Sequence, residues 1–314
     1  MEARSTATRA APGAPSLRAA RRRWGEDLIK AVLLLAALIS VLTTTGIVVS
    51  LLGETISFFG EVPITDYLFG TKWSPLFEPA SFGVIPLVSG TFLITAISLV
   101  VAVPLGLGAA IYLSEYARPR TRKAIKPVLE MLAGVPTIVF GYFALTFFTP
   151  EVLRGLFSME VTIFNALSAG IVMGFMIVPT IASISEDAMS AVPQGLREGA
   201  FGLGASKLQV SLRVIFPAAL SGIVAAIVLG ISRAVGETMI VLVAAGQLPN
   251  LTADPREPVE TMTAFIGATA KGDIPTGSIE YQTIFAVGTT LFVITLLMNM
   301  FSIRMVKRYR QVYE

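Results

Sequence analysis

Long uninterrupted apolar runs, not alternation with a short period, dominate the pattern of this chain. A hydrocarbon layer about 30 Å thick is crossed by roughly 20 apolar residues in a helix. Six stretches reach that length: 31–52, 84–113, 128–148, 161–184, 218–245 and 284–303. The pattern predicts an all-α integral membrane protein with six transmembrane helices. The second and fifth runs exceed one straight crossing, so they are expected to tilt, kink or protrude; Pro86 and Pro104 lie in the second. An even number of spans places both termini on one side.

Composition agrees: of 314 residues, 54% are hydrophobic and 14% charged, with a mean hydropathy of +0.74. Neither cysteine nor histidine occurs, which removes thiolate and imidazole metal sites, cysteine nucleophiles and the commonest general base. No catalytic group and no metal site is therefore expected. A net charge of +3 raises the question of nucleic acid, but the basic residues do not gather on one face.

They instead report topology. Nineteen of the 24 basic residues lie in the N-terminal tail, in loops 2–3 and 4–5 and at the C-terminus; the other three loops hold only Lys72, Arg154, Arg256 and Lys271. That bias predicts cytoplasmic termini and external loops at 53–83 and 247–280. Eleven of the 21 acids fall in the external loops. Residues 1–30, rich in Ala, Arg, Pro and Ser, read as a basic, disordered cytoplasmic tail, although the composition also suits a transit peptide. Residues 31–314 form the permeation domain, and its first span reads as an uncleaved anchor.

Segment 185–217 is too polar to span and carries the breakers Pro193, Gly195, Gly202 and Gly204. It predicts two short cytoplasmic helices joined at a glycine turn. Leu196, Ala200 and Leu203 fall at i, i+4 and i+7 as one apolar stripe, with Arg197 and Glu198 beside it. Such a stripe suits a protein groove or the lipid headgroup region.

The order of residues here resembles the EAA loop of ABC-importer permeases: Glu198-Gly199-Ala200, three residues, Gly204, nine residues, then Val214-Ile215-Phe216-Pro217. The chain departs from that pattern at Gly199, Val214 and Phe216. The resemblance implies that 185–217 is a coupling loop seated on a separate ATPase through Arg197, Glu198, Gly199, Ala200, Leu203 and Gly204. No G-x-x-x-x-G-K-[ST] phosphate loop occurs in the chain, so ATP and Mg would belong to that ATPase and this chain would bind no cofactor.

Two further segments narrow the resemblance. Phe82-Gly83-Val84-Ile85-Pro86-Leu87 with Ala110-Ile111-Tyr112-Leu113-Ser114-Glu115-Tyr116, and Arg233-Ala234-Val235-Gly236-Glu237-Thr238-Met239, resemble phosphate-specific ABC transporter permeases of the PstC type. The resemblance implies a type I ABC importer permease fold in a bacterial plasma (inner) membrane. Its implied partners are a PstA-like permease, a PstB-like ATPase dimer and a PstS-like external phosphate-binding protein, with membrane lipid around it and no nucleic acid. Permeases for sulfate, molybdate or tungstate are the alternative, and an ion-coupled secondary transporter, which would need inverted repeats, is a more distant one.

Arg233 is the one basic residue inside a span. A lone arginine there is unfavourable by about 3 kcal/mol on insertion scales, so it needs a partner or a wet pathway. One reading is a mutual ion pair with Glu237, one turn later, that locks span five. The other is a substrate pathway in which Arg233 meets an anion, Glu237 competes for the guanidinium, and Ser232 and Thr238 add neutral hydroxyls.

Overall fold

The computed structural model describes residues 24–309, with side chains from 25 to 306. The chain divides into two units, Met1–Ser50 and Leu51–Glu314. Of the predicted tail, residues 1–23 lie outside the described residues. Helix α1, Trp24–Glu61, starts in the first unit and ends in the second. It therefore begins earlier than the apolar run suggests, taking in Asp27 and Lys30. In the first unit its apolar side chains, Leu33 and Leu35 among them, are exposed, as surface that meets lipid should be.

The second unit opens with α2, Ile64–Phe69, and a two-stranded antiparallel hairpin, β1 Trp73–Ser74 and β2 Ser81–Phe82, with Trp73 opposite Phe82. Helix α3, Ile85–Ile111, ends in a π-turn over Tyr112–Tyr116. Helix α4 is Pro119–Ala133, and α5, Thr137–Phe143, widens into a π-helical stretch over Ala144–Leu156. Helix α6, Ala166–Ser190, is capped by Asn165, whose side chain accepts from the Ser168 N–H at 2.7 Å.

Among the described residues, four helices are long and apolar enough to cross a membrane, and two bent pairs bring the total to six if each is one span. The first pair corrects the predicted third span. Helix α4 ends at Ala133, and the chain turns by 85° before Thr137. Gly134 and Pro136 explain the break: proline removes an N–H and biases the residue before it away from helix. The predicted span is therefore broken into an amphipathic α4 with no buried residue and the stretch 137–156, which together count as one span only as a bent pair. The fourth crossing likewise starts at Ala166, not 161.

Beyond α6 come α7, Gln194–Gly202, and α8, Lys207–Val210, which continues through a π-turn, Ser211–Ile215, into α9, Phe216–Ala218. A 73° bend precedes α10, Leu220–Val235. Helices α11, Met239–Ala244, α12, Met262–Thr269, and α13, Ile279–Tyr309, complete the chain.

The core lies where α3 packs on α6, α10 meets both and α11 meets α6, around Ile94, Met173, Ile177, Ile181 and Ile240. Gly170 and Gly174 permit the close approach, since a Cβ at either would come within 2.7 Å of Ile97 or Val101. A second cluster joins the two long loops: Phe58, Tyr67 and Trp73 pack with Met262 and Phe265, and Trp73 meets Phe265 edge to face at 4.9 Å. These segments are folded flaps, not open connectors.

Candidate functional site

The predicted fifth span is interrupted where its charges lie. Helix α10 ends at Val235, Gly236 closes it, and α11 begins at Met239. Arg233 sits in the last turn of α10, about 20 Å along that helix from Leu220, where a cation complements the helix dipole. Glu237 lies in the break and is buried. Its Oε1 accepts from the N–H groups of Met239 and Ile240 at 2.9 and 3.2 Å, capping α11. Each charge therefore sits at the helix end of opposite polarity.

No ion pair joins Arg233 to Glu237 among the described residues. The predicted placement one turn apart on a single face fails because the helix stops between them, and with it the competition for the guanidinium. Arg233, half-buried, donates instead to the Thr180 hydroxyl of α6 at 3.2 Å. Ser232 donates to the Asn299 side chain of α13 at 3.3 Å, and the Thr238 hydroxyl reaches only the Gly236 carbonyl, at 3.4 Å. The Thr263 hydroxyl of α12 donates to the Glu237 carbonyl at 2.6 Å. Irregular backbone at membrane depth is tolerated where it is buried in protein or lines a wet cavity, and this one is bordered by a cation, hydroxyls and an amide.

Segment 185–217 has the predicted two-limbed form. Gly204 turns it with φ +82, the left-handed region that glycine enters freely. Ser206 then opens α8 with a reciprocal capping box to Gln209. The predicted apolar stripe is divided: Ala200 packs inward on the cluster of Met189, Val210 and Ile215, whereas Leu196 and Leu203 point outward, Leu203 being 91% exposed. Glu198 is exposed.

Arg197 is half-buried and engaged within the chain. Its guanidinium donates to the carbonyls of Met189 and Val192 at the end of α6, each at 2.8 Å, and to Glu115 in the π-turn of α3 at 3.1 Å. Lys207, on the other limb, lies 5.0 Å over the Tyr116 ring. Both limbs thus hold the end of α3. Beside them Glu186 of α6, fully buried, pairs with Arg122 and Lys126 of α4 and accepts from Ser190. Sequence reading missed Thr180, Asn299, Glu115 and Glu186. The polar Asn299 in an apolar run was a readable signal; the other partners are set by packing.

Residues 102–311 match the family described as binding-protein-dependent transport system inner membrane component. The phosphate transport system permease protein PstC of Haemophilus influenzae is 33% identical over 311 residues, covering 92% of this chain and 95% of its own. The probable ABC transporter permease YqgH of Bacillus subtilis is 36% identical, covering 76% of each. PstC 1 of Mycobacterium tuberculosis is 36% identical, covering 73% of each. Among solved structures, a bacterial ABC transporter involved in alginate import aligns with a TM-score of 0.64 at 15% identity, covering 92% of this chain and 100% of its own. The methionine transporter MetNI in an inward-facing form gives 0.54 at 20%, covering 73% and 95%. At these identities the structural likeness bears on the fold alone.

Proposed function

Because the chain belongs to the binding-protein-dependent transport permeases, and within them to the PstC phosphate permeases, we propose that it is the permease subunit of an ATP-driven inorganic phosphate importer. It is a non-catalytic, multi-pass inner-membrane subunit. The similarity over 92% of its length to a PstC permease carries this reading. Its partners are a second, PstA-like permease, a PstB-like ATPase dimer that binds ATP and Mg, and a PstS-like external protein. The termini and the 185–217 loop face the cytoplasm, in line with the charge bias.

The site chemistry supports the reading. Phosphate near pH 7 carries between one and two negative charges and needs a cation in a low-dielectric path. Arg233 presents a fork of donors suited to phosphate oxygens, and its present partner, the Thr180 hydroxyl, is neutral and exchangeable. An arriving anion takes the place of Thr180, with Ser232, Thr238 and Asn299 offering weaker contacts. Glu237, held by the α11 N–H groups, sets the shape of the break rather than competing for the guanidinium. Closure of the ATPases moves α7, and the movement reaches α3 and α6 through Arg197, Glu115 and the α6 carbonyls.

The test is labelled phosphate uptake at low concentration in a deletion strain carrying this gene on a plasmid. Restored uptake inhibited by unlabelled phosphate, and not by excess sulfate, molybdate or tungstate, is expected. Restored growth with unchanged phosphate uptake would keep the permease and assign it another oxyanion.

A further inference from the structure

A cavity of about 320 Å³ opens between segment 73–77 and segment 247–274. Glu260 lines it, 6% exposed, and among the described residues its carboxylate has neither a hydrogen-bond donor nor an ion-pair partner. The indole N–H of Trp73, a residue that also lines the cavity and is 2% exposed, is also without a partner among the described residues. No other titratable side chain lines the cavity.

The backbone holds Glu260 there. The N–H of Val259 donates to the Ala245 carbonyl, and that of Met262 to the Thr91 hydroxyl, both at 3.1 Å. The Glu260 carbonyl abuts α3 so closely that a Cβ on Gly90 would lie 2.4 Å from it. The main chain on both sides of Glu260 is thus tied to its neighbours, on one side to α3. Burial pushes the Glu260 carboxyl up to about 7, the expected response of an acid that has lost water and gained no counter-charge. A group held in that state is a candidate for a ligand that completes it.

The chemistry around it indicates which ligand. The Trp73, Phe77 and Phe265 rings stand with one carboxylate, a set that favours a cationic head. Leu76 and Phe77 on the same cavity are 55% and 71% exposed, so an apolar rim surrounds a buried acceptor, as in strong protein docking sites. The loops on this side hold 11 acids against four basic residues, which favours a basic partner.

We propose that this cavity is the socket for a lysine or arginine side chain of the soluble external binding protein, with Glu260 the buried carboxylate that this cation neutralises on docking. The proposal rests on the importer reading above. It is tested on the complete transporter in lipid nanodiscs, with ATP hydrolysis titrated by phosphate-loaded binding protein. Glu260→Gln is expected to raise the half-saturating concentration about tenfold, and Glu260→Lys further. Phe77→Ala, an exposed change that leaves the buried acid in place, is expected to raise it about threefold. Carbodiimide joins a lysine of the binding protein to Glu260 in the wild type and not in Glu260→Gln; for an arginine, its replacement by glutamate restores docking to Glu260→Lys. Unchanged half-saturation in all three variants overturns the socket, as does a Glu260 cross-link to the other permease formed without binding protein. A wild-type complex that no phosphate-loaded binding protein stimulates would instead overturn the importer reading itself.

Discussion

Among the described residues, the buried charges where α7 meets the ends of α3 and α6 have partners of opposite sign, whereas those at the α10–α11 break and in the neighbouring cavity do not. Glu186 is held by Arg122 and Lys126, and Glu115 by Arg197. Arg233 has one neutral hydroxyl, and Glu260 has no partner among the described residues. Buried ion pairs contribute little net stability but resist separation, since removing one member strands the other. The first region is thus built to move as a rigid piece, and the second keeps its charges for what arrives.

Five variants break or sharpen this contrast. The largest effect is expected from Arg122→Ala combined with Lys126→Ala, which strands the fully buried Glu186 at a loss on the order of 3–5 kcal/mol; thermal melting of the assembled complex, with its yield, measures it. Next is Arg197→Ala. It frees Glu115 and two α6 carbonyls, and phosphate moved per ATP hydrolysed in proteoliposomes should fall on the order of tenfold. A parallel fall of transport and hydrolysis would assign Arg197 to stability alone.

Glu260→Gln tests the unpaired side. Burial raises the folded-state pKa to about 7, above the unfolded value, so stability is greatest when the carboxyl is protonated and is lost as pH rises through 7. The substitution is expected to stabilise the protein by on the order of 2 kcal/mol at pH 8, and the gain should shrink toward pH 5.5 in melting curves. The smallest effects have opposite signs within one loop. Neither Gly199 nor Gly204 has an atom within 4 Å of an added Cβ, so backbone preference alone decides. Gly199→Ala is expected to stabilise α7 by about 0.5–1 kcal/mol, and Gly204→Ala, at φ +82, to destabilise the turn by about 1 kcal/mol.

The sequence disclosed elements whose signal is local. Apolar runs marked the crossings and Gly204 the turn of segment 185–217. The break inside the third span was passed over because hydropathy continues through Gly134 and Pro136, which were readable as breakers. The break after Val235 carried a weaker signal, a single Gly236 between apolar stretches, so Arg233 and Glu237 were set on one helical face. Thr180, Glu115 and the cations of Glu186 lie far from their partners in sequence, and only the packing of α3, α4 and α6 brings them together. The flaps around Trp73 and Phe265 were legible as unusually long loops, but their shared core was not.

The most direct test of the division between paired and reserved charges is phosphate uptake by Arg233→Gln and Arg233→Lys, measured beside wild type in proteoliposomes with binding-protein-stimulated ATP hydrolysis. Arg233→Gln is expected to lose uptake while the complex assembles and still hydrolyses ATP, and Arg233→Lys to keep a fraction of it. Normal uptake by an assembled Arg233→Gln complex would contradict the account, because the charge at the break would then have no anion to meet.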